Sequence, residues 1–399
     1  MIVIGAGFAG LAAAEALARG GVEVEVLEAR DRVGGRVWSV PFAGGVVERG
    51  AEFVLPHDET VIATADRLGL TLARKGTLYG WREPRGAGAV TIDQVAEAMP
   101  RLSAGLESAG RADGTVARAL AGSSLDPHIA VAIAARTEVS CAYGAEDLDA
   151  SVLRAGASAF GRFDSFSFAG GNACLAEALA KRLPPVRFDA PVRRLSWSAE
   201  AGVRASTEVA ELTADAAVVA VPASVLEAIE FDPPLPADKY TANRGVRYGQ
   251  AAKLFVGLRA PAPPSQTLSV PDRFWCYTQL DRGARPAPFL AAFAGSPAAL
   301  ERLEIGRGPR TWLHRLASLR PDLALNQQQL MLSRWDDDPW VRGAYSARSS
   351  RSPMDTAALV RALGPLAFAG EHTAGEWHGL MEGALRSGER AARDLLAAY

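Results

Sequence analysis

Residues 1–36 read MIVIGAGFAGLAAAEALARGGVEVEVLEARDRVGGR, and this stretch decides the fold. The apolar residues 1–4 predict a buried strand. Residues 11–19 predict a helix, because they are rich in Ala and Leu and contain no proline. A glycine-rich turn lies between them, and residues 22–26 alternate apolar and acidic side chains, which indicates a second strand. The order strand, turn, helix, strand is that of a βαβ unit with a parallel sheet.

The turn has the spacing Gly-x-Gly-x-x-Gly, with Ala9 inside it. Gly5 permits the tight turn, Gly7 lets the backbone approach a pyrophosphate, and Gly10 lets the helix pack closely on the strand. Free N–H groups at the start of the helix attract the anion. Glu28, at the end of the second strand, is placed to accept hydrogen bonds from ribose hydroxyls. These features predict dinucleotide binding; the alternative is an ordinary glycine-rich turn without a ligand.

Residues 28–36, EARDRVGGR, extend beyond the glycine fingerprint. They resemble the LEAxxRxGGR signature of the flavin-containing amine oxidase family, which includes FAD-dependent monoamine and polyamine oxidases. The resemblance implies FAD rather than NAD, because simple NAD-binding proteins do not normally carry this extension. It also implies that Arg36 approaches the FAD phosphates and that Ala29, Arg30 and Gly35 lie at the cofactor.

Further stretches resemble the same family, so the resemblance covers nearly the whole chain. Residues 46–54 match the run that passes the flavin, and residues 333–347 match the segment WxxDPxxxGxY. Residues 365–396 carry the most specific match, FAGExT followed by G-x-MEGA-x-x-SG. Residues 168–183 resemble the family's GGMxxLxxALA segment, and Val192 after it matches the position whose backbone meets adenine. On these matches the resemblance places the following residues at the cofactor: Gly50, Ala51, Glu52, Val192, Trp335, Gly370, Glu371, Gly379, Leu380, Met381 and Ala384.

The resemblance implies an α/β fold with a discontinuous FAD-binding Rossmann-like domain and a substrate domain of mixed β-sheet with inserted helices. The predicted FAD domain comprises residues 1–77, 164–238 and 334–399, and the substrate domain comprises residues 78–163 (helical) and 239–333 (sheet). Sequence patterns predict helices at residues 58–70, 91–106, 125–141, 147–160 and 309–319, and strands at residues 186–195, 215–221, 250–258, 273–280 and 289–294.

Lys253 is the predicted catalytic residue. The chain has 43 basic residues, of which all but Lys75, Lys181, Lys239 and Lys253 are arginines. Lys253 stands in the apolar run AAKLFVGL, where a buried lysine can lose its proton while an arginine stays charged. The alternative is a lysine that reaches water or pairs with an acid. Family members carry a lysine in a matching strand, so the resemblance implies a lysine held near the flavin N5 through a water.

The resemblance implies removal of a hydride from the carbon next to an amine nitrogen, which gives an imine that water hydrolyses. Dioxygen would be the acceptor and hydrogen peroxide a product. Tyr345 matches one wall of the family's aromatic cage, whereas Leu380 stands at the other wall and Trp377 is near it in sequence. Ala344 occupies the place of the cysteine that links the flavin covalently in some members, so non-covalent FAD is expected. Phe53 stands where the family's amino-acid oxidases hold a carboxylate-binding arginine, which disfavours an amino acid as substrate.

Three other functions stay open at this stage. They are an L-amino-acid oxidase, a flavin desaturase or dehydrogenase acting on a C–C or C–O bond, and a flavin-binding protein without turnover. The replacement of the second cage aromatic by Leu380 keeps the desaturase open. Lys253 and the complete C-terminal motif argue against a protein without turnover.

Composition and charge limit the classes of partner that this protein is expected to bind. The net charge of −2 and pI of about 6.3 give no reason to expect nucleic acid or an anionic membrane. No run approaches the roughly 18 apolar residues that a membrane span needs. Three scattered cysteines do not suggest a disulfide framework or a metal site. Among the five histidines only His372 and His378 have a ligand-like spacing, and a metal pair is disfavoured because no third or fourth ligand appears. A cytoplasmic protein with a small amine substrate is expected, and a homodimer is compatible with a sequence that does not determine oligomeric state.

Overall fold

The computed structural model describes residues 1–108, 114–154 and 160–399. In chain order, its strands are β1 Ile2–Ile4, β2 Glu25–Leu27, β3 Ser39–Phe42, β4 Gly45–Glu48, β5 Leu72–Leu78, β6 Glu83–Arg85, β7 Asp164–Phe168, β8 Arg194–Ser198, β9 Gly202–Ser206, β10 Glu211–Ala214, β11 Ala217–Val219, β12 Glu230–Asp232, β13 Arg247–Tyr248, β14 Ala251–Leu258, β15 Ser265–Ser269, β16 Phe274–Thr278, β17 Phe289–Gly295, β18 Leu325–Arg334, β19 Ser346–Ala347 and β20 Leu366–Phe368.

The α-helices in the same ranges are α1 Phe8–Arg19, α2 Glu59–Arg67, α3 Ile92–Ser108, α4 Val116–Ala121, α5 Pro127–Cys141, α6 Ala173–Ala180, α7 Ala237–Gly245, α8 Pro297–Arg302, α9 Arg310–Leu319, α10 Thr356–Val360 and α11 Met381–Ala398. Short 3-10 helices occur at Ala150–Leu153, Ala223–Ala228, Ile305–Arg307, Glu371–Thr373 and Gly375–Trp377.

A parallel sheet in the order β2-β1-β11-β20 is built from three distant parts of the chain. This confirms the discontinuous Rossmann-like architecture. Strand β2 is the edge of this sheet and begins at Glu25, later than the alternation of residues 22–26 predicts. Glu23 is exposed and Glu25 is partly exposed, whereas Val24 and Val26 are buried, so one face of the chain lies near solvent where this strand begins.

The two faces of the parallel sheet are covered differently. Alternate side chains such as Val3 pack with helices α1 and α11 in one core. Ile2 and Ile4 point to the other face and pack with Leu195 and Val203 of a second sheet, in the order β10-β9-β8-β12. This alternation follows from the two-residue period of a strand. The sheet is therefore buried on both faces, and its carboxyl edge is left for a ligand.

The other half of the molecule is a six-stranded sheet in the order β18-β14-β17-β16-β15-β6. All its pairs are antiparallel except β15 with β6. Strand β14 lies between β17 and β18, and every residue in it is buried. Helices α3, α4 and α5 share an apolar core with one face of this sheet. The mixed sheet with inserted helices is thus confirmed, and β14 carries Lys253 as its third residue.

Two predicted elements differ from the structure. The helix expected at residues 147–160 is wrong: Ala150–Leu153 forms a 3-10 turn, Arg154 is extended, and residues 155–159 lie outside the described part. Backbone groups at residues 147–149 bond instead to residues 348–350, as Asp149 N does to Arg348 O, so a helix cannot use them. The strand expected from residue 186 begins only at Arg194, because Arg187 pairs singly with Leu27.

Candidate active site

A cavity of about 620 Å³ begins at the carboxyl edge of the parallel sheet and reaches the six-stranded sheet. Residues within two positions of the carboxyl ends of parallel strands line one side, including Gly5, Val221 and Gly370. Lys253 of β14 and Trp275 of β16 line the other side. Ligand sites of α/β sheets lie at this edge, and the volume is within the range of small-molecule sites.

Glu28 lies at the nucleotide end of this cavity. Its Oε2 accepts a hydrogen bond from Ala6 N at 2.6 Å and its Oε1 accepts one from Arg30 N at 3.0 Å. Burial raises the pKa of the Glu28 carboxyl, and the two backbone amides act in the opposite direction. The carboxylate is thereby aimed along the turn, where ribose hydroxyls would donate to it.

The chemistry of this end fits the diphosphate of FAD. Gly5 has a φ of +102°, which the tight turn requires and which side chains rarely adopt. A Cβ on Gly35 would lie 3.2 Å from Gly7 Cα, so the two glycines keep the backbone open beside the helix. The N-cap of α1 is Gly7, and no side chain caps this helix start. An uncapped helix N-terminus under a glycine cradle is suited to a phosphate.

Arg36 and Glu371 form a buried ion pair on the cavity wall. Arg36 Nη1 donates to Glu371 Oε1 at 2.7 Å and to Ala344 O at 3.1 Å. Glu371 also accepts from Ser346 Oγ at 2.5 Å and from Gly379 N at 2.7 Å. Burial alone would raise the pKa of Glu371, but Arg36 and the hydrogen bonds lower it to about 2. This anion holds the loop before α11 against the end of β20.

Lys253 lines the cavity, and its ammonium group donates three hydrogen bonds to protein acceptors. Its Nζ donates to Glu52 Oε2 at 2.7 Å, to Gly50 O at 2.7 Å and to Glu48 O at 2.9 Å. These three acceptors match the three hydrogens of an ammonium. The lysine therefore pairs with an acid, as the alternative interpretation held, and also faces the cavity.

Glu52 is shared by a second lysine. Lys75 Nζ lies 2.8 Å from Glu52 Oε1, and Tyr277 Oη donates to Glu52 Oε2 at 2.5 Å. Burial would raise the pKa of Glu52, but Lys253 and Lys75 lower it to about 2. The cluster of Lys75, Glu52 and Lys253 thus holds two cations against one anion beside the cavity.

Three of the four predicted substrate residues line the cavity. Phe53 stacks on Trp275 with ring centroids 5.2 Å apart, and Tyr345 donates from its hydroxyl to Ser140 O at 2.8 Å. Leu380 also lines it. Trp377 is not among the described residues that line it: its ring lies 6.2 Å from the ring of His57, which does. Trp377 therefore stands behind the wall rather than in it.

Among the predicted cofactor residues, Gly10 does not line the cavity within the described part of the chain. A Cβ on Gly10 would lie 1.8 Å from Gly5 O, so its role is close packing of helix on turn. The others all line it: Gly5, Gly7, Ala9, Glu28, Ala29, Arg30, Gly35, Arg36, Gly50, Ala51, Glu52, Val192, Trp335, Gly370, Glu371, Gly379, Leu380, Met381 and Ala384.

Sequence reasoning missed part of the wall near Lys253. Trp275 lines the cavity, and Tyr277 on the same face of the strand FWCYT donates to Glu52; their two-residue period was the available signal for one shared face. Arg82 lies in a stretch rich in Gly, Pro and Arg, where no periodicity marks it. It is 2% exposed and lines the cavity.

Residues 8–120 and 113–396 match the family model of flavin containing amine oxidoreductases. The chain belongs to this family. It is 30% identical over its full length to AofH of Mycobacterium tuberculosis (strain H37Rv), which is classed as a flavin-containing monoamine oxidase, with 96% of that protein covered. It is 27% identical over its full length to putrescine oxidase of Kocuria rosea, with 95% of that protein covered.

Solved structures of the flavin amine oxidoreductases share the fold. Putrescine oxidase bound to putrescine superimposes with a TM-score of 0.83 at 24% identity, over 99% of this chain and 98% of that one. Cyclohexylamine oxidase from Brevibacterium oxydans IH-35A gives a TM-score of 0.84 at 22% identity, over 100% and 98%. Family membership makes FAD the cofactor and amine oxidation the reaction of this protein.

The described residues add two negative findings. They contain no helix that is both long and apolar enough to cross a membrane. They also contain no cluster of three or more His, Cys, Asp or Glu side chains arranged to hold a metal ion.

Proposed function

We propose that the protein is an oxidase that binds a small amine in the part of the cavity lined by Phe53, Lys253 and Tyr345, with dioxygen as electron acceptor and hydrogen peroxide as product. Bound FAD supplies the redox chemistry by accepting a hydride from the carbon next to the amine nitrogen. The observation that carries the proposal is that one cavity joins Glu28, at the nucleotide end, to Lys253.

We assign cofactor binding to both helix N-termini at the cavity. Glu28 would accept hydrogen bonds from the ribose, and the uncapped start of α1 would bind the diphosphate. Leu380, the N-cap of α11, has no side-chain cap either, and Leu380, Met381 and Ala384 line the cavity. The positive end of this 18-residue helix would favour negative charge on the ring system.

Lys253 would act as a fixed charge with a defined position. Its three hydrogen bonds, one of them to Glu52, hold the ammonium at the cavity wall, where its charge can stabilise negative charge that develops nearby. It does not attack the substrate. Tyr345 and Phe53 would confine the amine between aromatic surfaces in a site that excludes bulk water.

FAD would be bound without a covalent link. Ala344 lines the cavity at the position of the linking cysteine, and a methyl group cannot form the bond. Acid precipitation should release the yellow colour into the supernatant. Flavin that stays with the pellet, or that fluoresces on a denaturing gel band, would contradict the assignment.

The function is tested by flavin bleaching. Anaerobic addition of a primary or secondary amine should bleach the bound flavin, and air should restore the colour with formation of hydrogen peroxide, measured with a peroxidase assay. If alcohols or saturated carbon substrates bleach the flavin while amines do not, the protein is a desaturase or dehydrogenase. Bleaching by amines without recovery in air would mean that dioxygen is not the acceptor.

Two broader assignments are also proposals. The cytoplasmic location rests on the scattered cysteines, which the structure describes as free. A homodimer would be tested by size-exclusion chromatography with light scattering, and a monomer mass at working concentration would exclude it.

A further inference from the structure

Arg82 places an unbalanced cation in the wall of the substrate cavity. It is 2% exposed, and its Cζ lies 3.4 Å from the centre of the Trp275 ring. Its hydrogen bonds are long: Nε donates to Tyr79 O and Nη1 to Ser140 Oγ, both at 3.4 Å. Within residues 1–108, 114–154 and 160–399 no carboxylate forms an ion pair with it. Buried charges are normally paired, so this arrangement needs a partner from elsewhere.

A second guanidinium lies beside it. Ser140 Oγ accepts a hydrogen bond from Arg136 Nη1 at 2.5 Å as well as the long one from Arg82. Burial lowers the pKa of Arg82 to about 10. Burial is also the main cause of the lowered pKa of Arg136, and the positive charge of Arg82 lowers that pKa further. Guanidinium groups stay charged under such conditions. Two like charges therefore meet at this end of the cavity.

In the described part of the chain, no carboxylate of the cavity wall forms an ion pair with Arg82. Glu28 lies at the nucleotide end, Glu371 pairs with Arg36, and Glu52 is shared by two lysines. Asp58 accepts from Leu55 N at 2.7 Å and contacts neither arginine. Arg82 and the cluster of Lys75, Glu52 and Lys253 therefore make the substrate half of the cavity positive, which disfavours a substrate with two ammonium groups.

We propose that the substrate is an amine that also carries a carboxylate, and that Arg82 binds the carboxylate. The inference rests on the proposed function and specifies its substrate class. The planar fork of a guanidinium suits a carboxylate, and the bound anion would relieve the repulsion between Arg82 and Arg136. Phe53 stands where the family's amino-acid oxidases have a carboxylate-binding arginine. Trp275 contacts both Phe53 and Arg82, so Arg82 brings a cation from another segment to the same part of the cavity.

The first experiment uses the wild-type holoenzyme and a series matched in length. Butylamine, putrescine, γ-aminobutyrate and norvaline, with longer homologues of each, are compared by kcat/KM from oxygen uptake. We expect at least one carboxylated amine to exceed the neutral amine and the diamine of equal length by about tenfold or more, which is about 1.4 kcal/mol. Butyrate and valerate, which cannot be oxidised as amines, should perturb the flavin absorbance and compete with substrate.

Variants then assign the effect to one side chain. Arg82→Met removes the charge and should reduce the preference for carboxylate over neutral amine by about tenfold or more, mainly through KM. Arg82→Lys should restore part of it. The control is Arg162→Met: Arg162 is exposed and stacks on Trp81 with its Cζ 3.9 Å from the ring centre, outside the cavity. Flavin content of each variant is measured first, and if Arg82→Met does not fold, Arg82→Lys and the wild-type series remain decisive.

The outcomes separate the two proposals. If no amine bleaches the flavin, the proposed function fails. If neutral amines or diamines react but no carboxylated amine is preferred and the alkanoates do not bind, amine oxidation stands and the role of Arg82 is overturned. A preference for carboxylate that Arg82→Met leaves unchanged would also overturn it.

Discussion

At the scale of single residues, the Lys253 cluster is the sharpest test of the site. Lys253→Met keeps the volume of the side chain and removes the ammonium. We expect the variant to fold and bind FAD but to slow flavin reduction, flavin reoxidation or both by about tenfold or more, which is about 1.4 kcal/mol in barrier. Stopped-flow absorbance measures the two half-reactions separately.

Lys75→Met is the matched comparison, because Lys75 pairs with the other oxygen of Glu52 and is not among the described residues that line the cavity. If the two variants slow the half-reactions equally, the effect comes from the charge on Glu52. If Lys253→Met reacts like wild type in both half-reactions, Lys253 is structural only.

Glu28 gives a second prediction at this scale. Glu28→Ala removes an acceptor that would form about two charge-assisted hydrogen bonds to ribose, each on the order of 1.5–3 kcal/mol. The purified variant should carry much less FAD, measured by the ratio of flavin to protein absorbance. Glu25→Ala is the control, since Glu25 lies in the same strand and pairs at the surface with Arg187. Equal flavin content in the two variants would refute the ribose assignment.

Local motifs predicted the residues whose role depends on local geometry. Gly5 and Glu28 act within one βαβ unit, so their spacing alone specified them. Arg82, which directly precedes β6, meets Trp275 of β16 only because β15 pairs with both strands. No sequence spacing encodes that contact, which explains why sequence reasoning missed them.

At the scale of elements, the packing of α1 against α11 brings both helix starts to the cavity. A Cβ on Gly388 of α11 would lie 2.1 Å from Ala9 O, so Gly388→Ala forces the helices apart. We expect destabilisation of about 1–3 kcal/mol or more. Gly105→Ala is the matched control in α3, because nothing lies within 4 Å of its Cβ. It should be neutral or stabilise by about 0.5–1 kcal/mol.

Urea unfolding of both variants, followed by circular dichroism, measures the difference. The close-packing argument fails if Gly388→Ala is as stable as Gly105→Ala. Reduced flavin content in Gly388→Ala would show that cofactor binding depends on the distance between α1 and α11.

Elements with a strong local pattern were predicted well, such as α5, whose N-cap Asp126 accepts from His128 N at 2.8 Å. Residues 147–160 have a helical composition, but residues 147–154 do not form an α-helix. Their backbone bonds to residues 348–350, which are distant in sequence, and tertiary hydrogen bonds override a weak propensity. A tertiary contact also explains why β8 starts later than predicted, since Arg187 pairs singly with Leu27.

At the scale of the whole molecule, buried ion pairs join segments that are far apart in the chain. Glu371 near the C-terminus pairs with Arg36, and Glu52 pairs with Lys253 of the six-stranded sheet. Both carboxyls have a folded pKa of about 2, well below the ordinary value of 4.5. The unfolded chain therefore binds more protons below pH 4.5, and the stability that these pairs contribute is lost as the pH falls from about 4.5 towards 2.

His372 and Asp58 also change protonation state in acid, and their effects on the free energy of unfolding oppose each other. Burial lowers the pKa of His372 to about 4, so its contribution is also lost in acid, as the pH falls from about 6.5 through 4. Burial raises the pKa of Asp58 to about 6, so protonation of this group favours the folded state as the pH falls. Acid destabilisation of the holoenzyme is expected from Glu52, Glu371 and His372, and it is partly offset by Asp58, Glu28 and Glu48, whose pKa values burial raises.

Glu371→Gln isolates one of these contributions. It leaves Arg36 without its anion, so the variant should melt at a lower temperature than wild type near pH 7. Near pH 3 the unfolded wild type has already gained the proton, so the difference should shrink to less than about half. Glu376→Gln is the control, because Glu376 is exposed and five residues away. Thermal melts followed by circular dichroism, with flavin fluorescence to report cofactor release, measure both variants across the range. A difference between Glu371→Gln and wild type that stays constant with pH would mean that Glu371 is not an ionised partner of Arg36 in the folded protein.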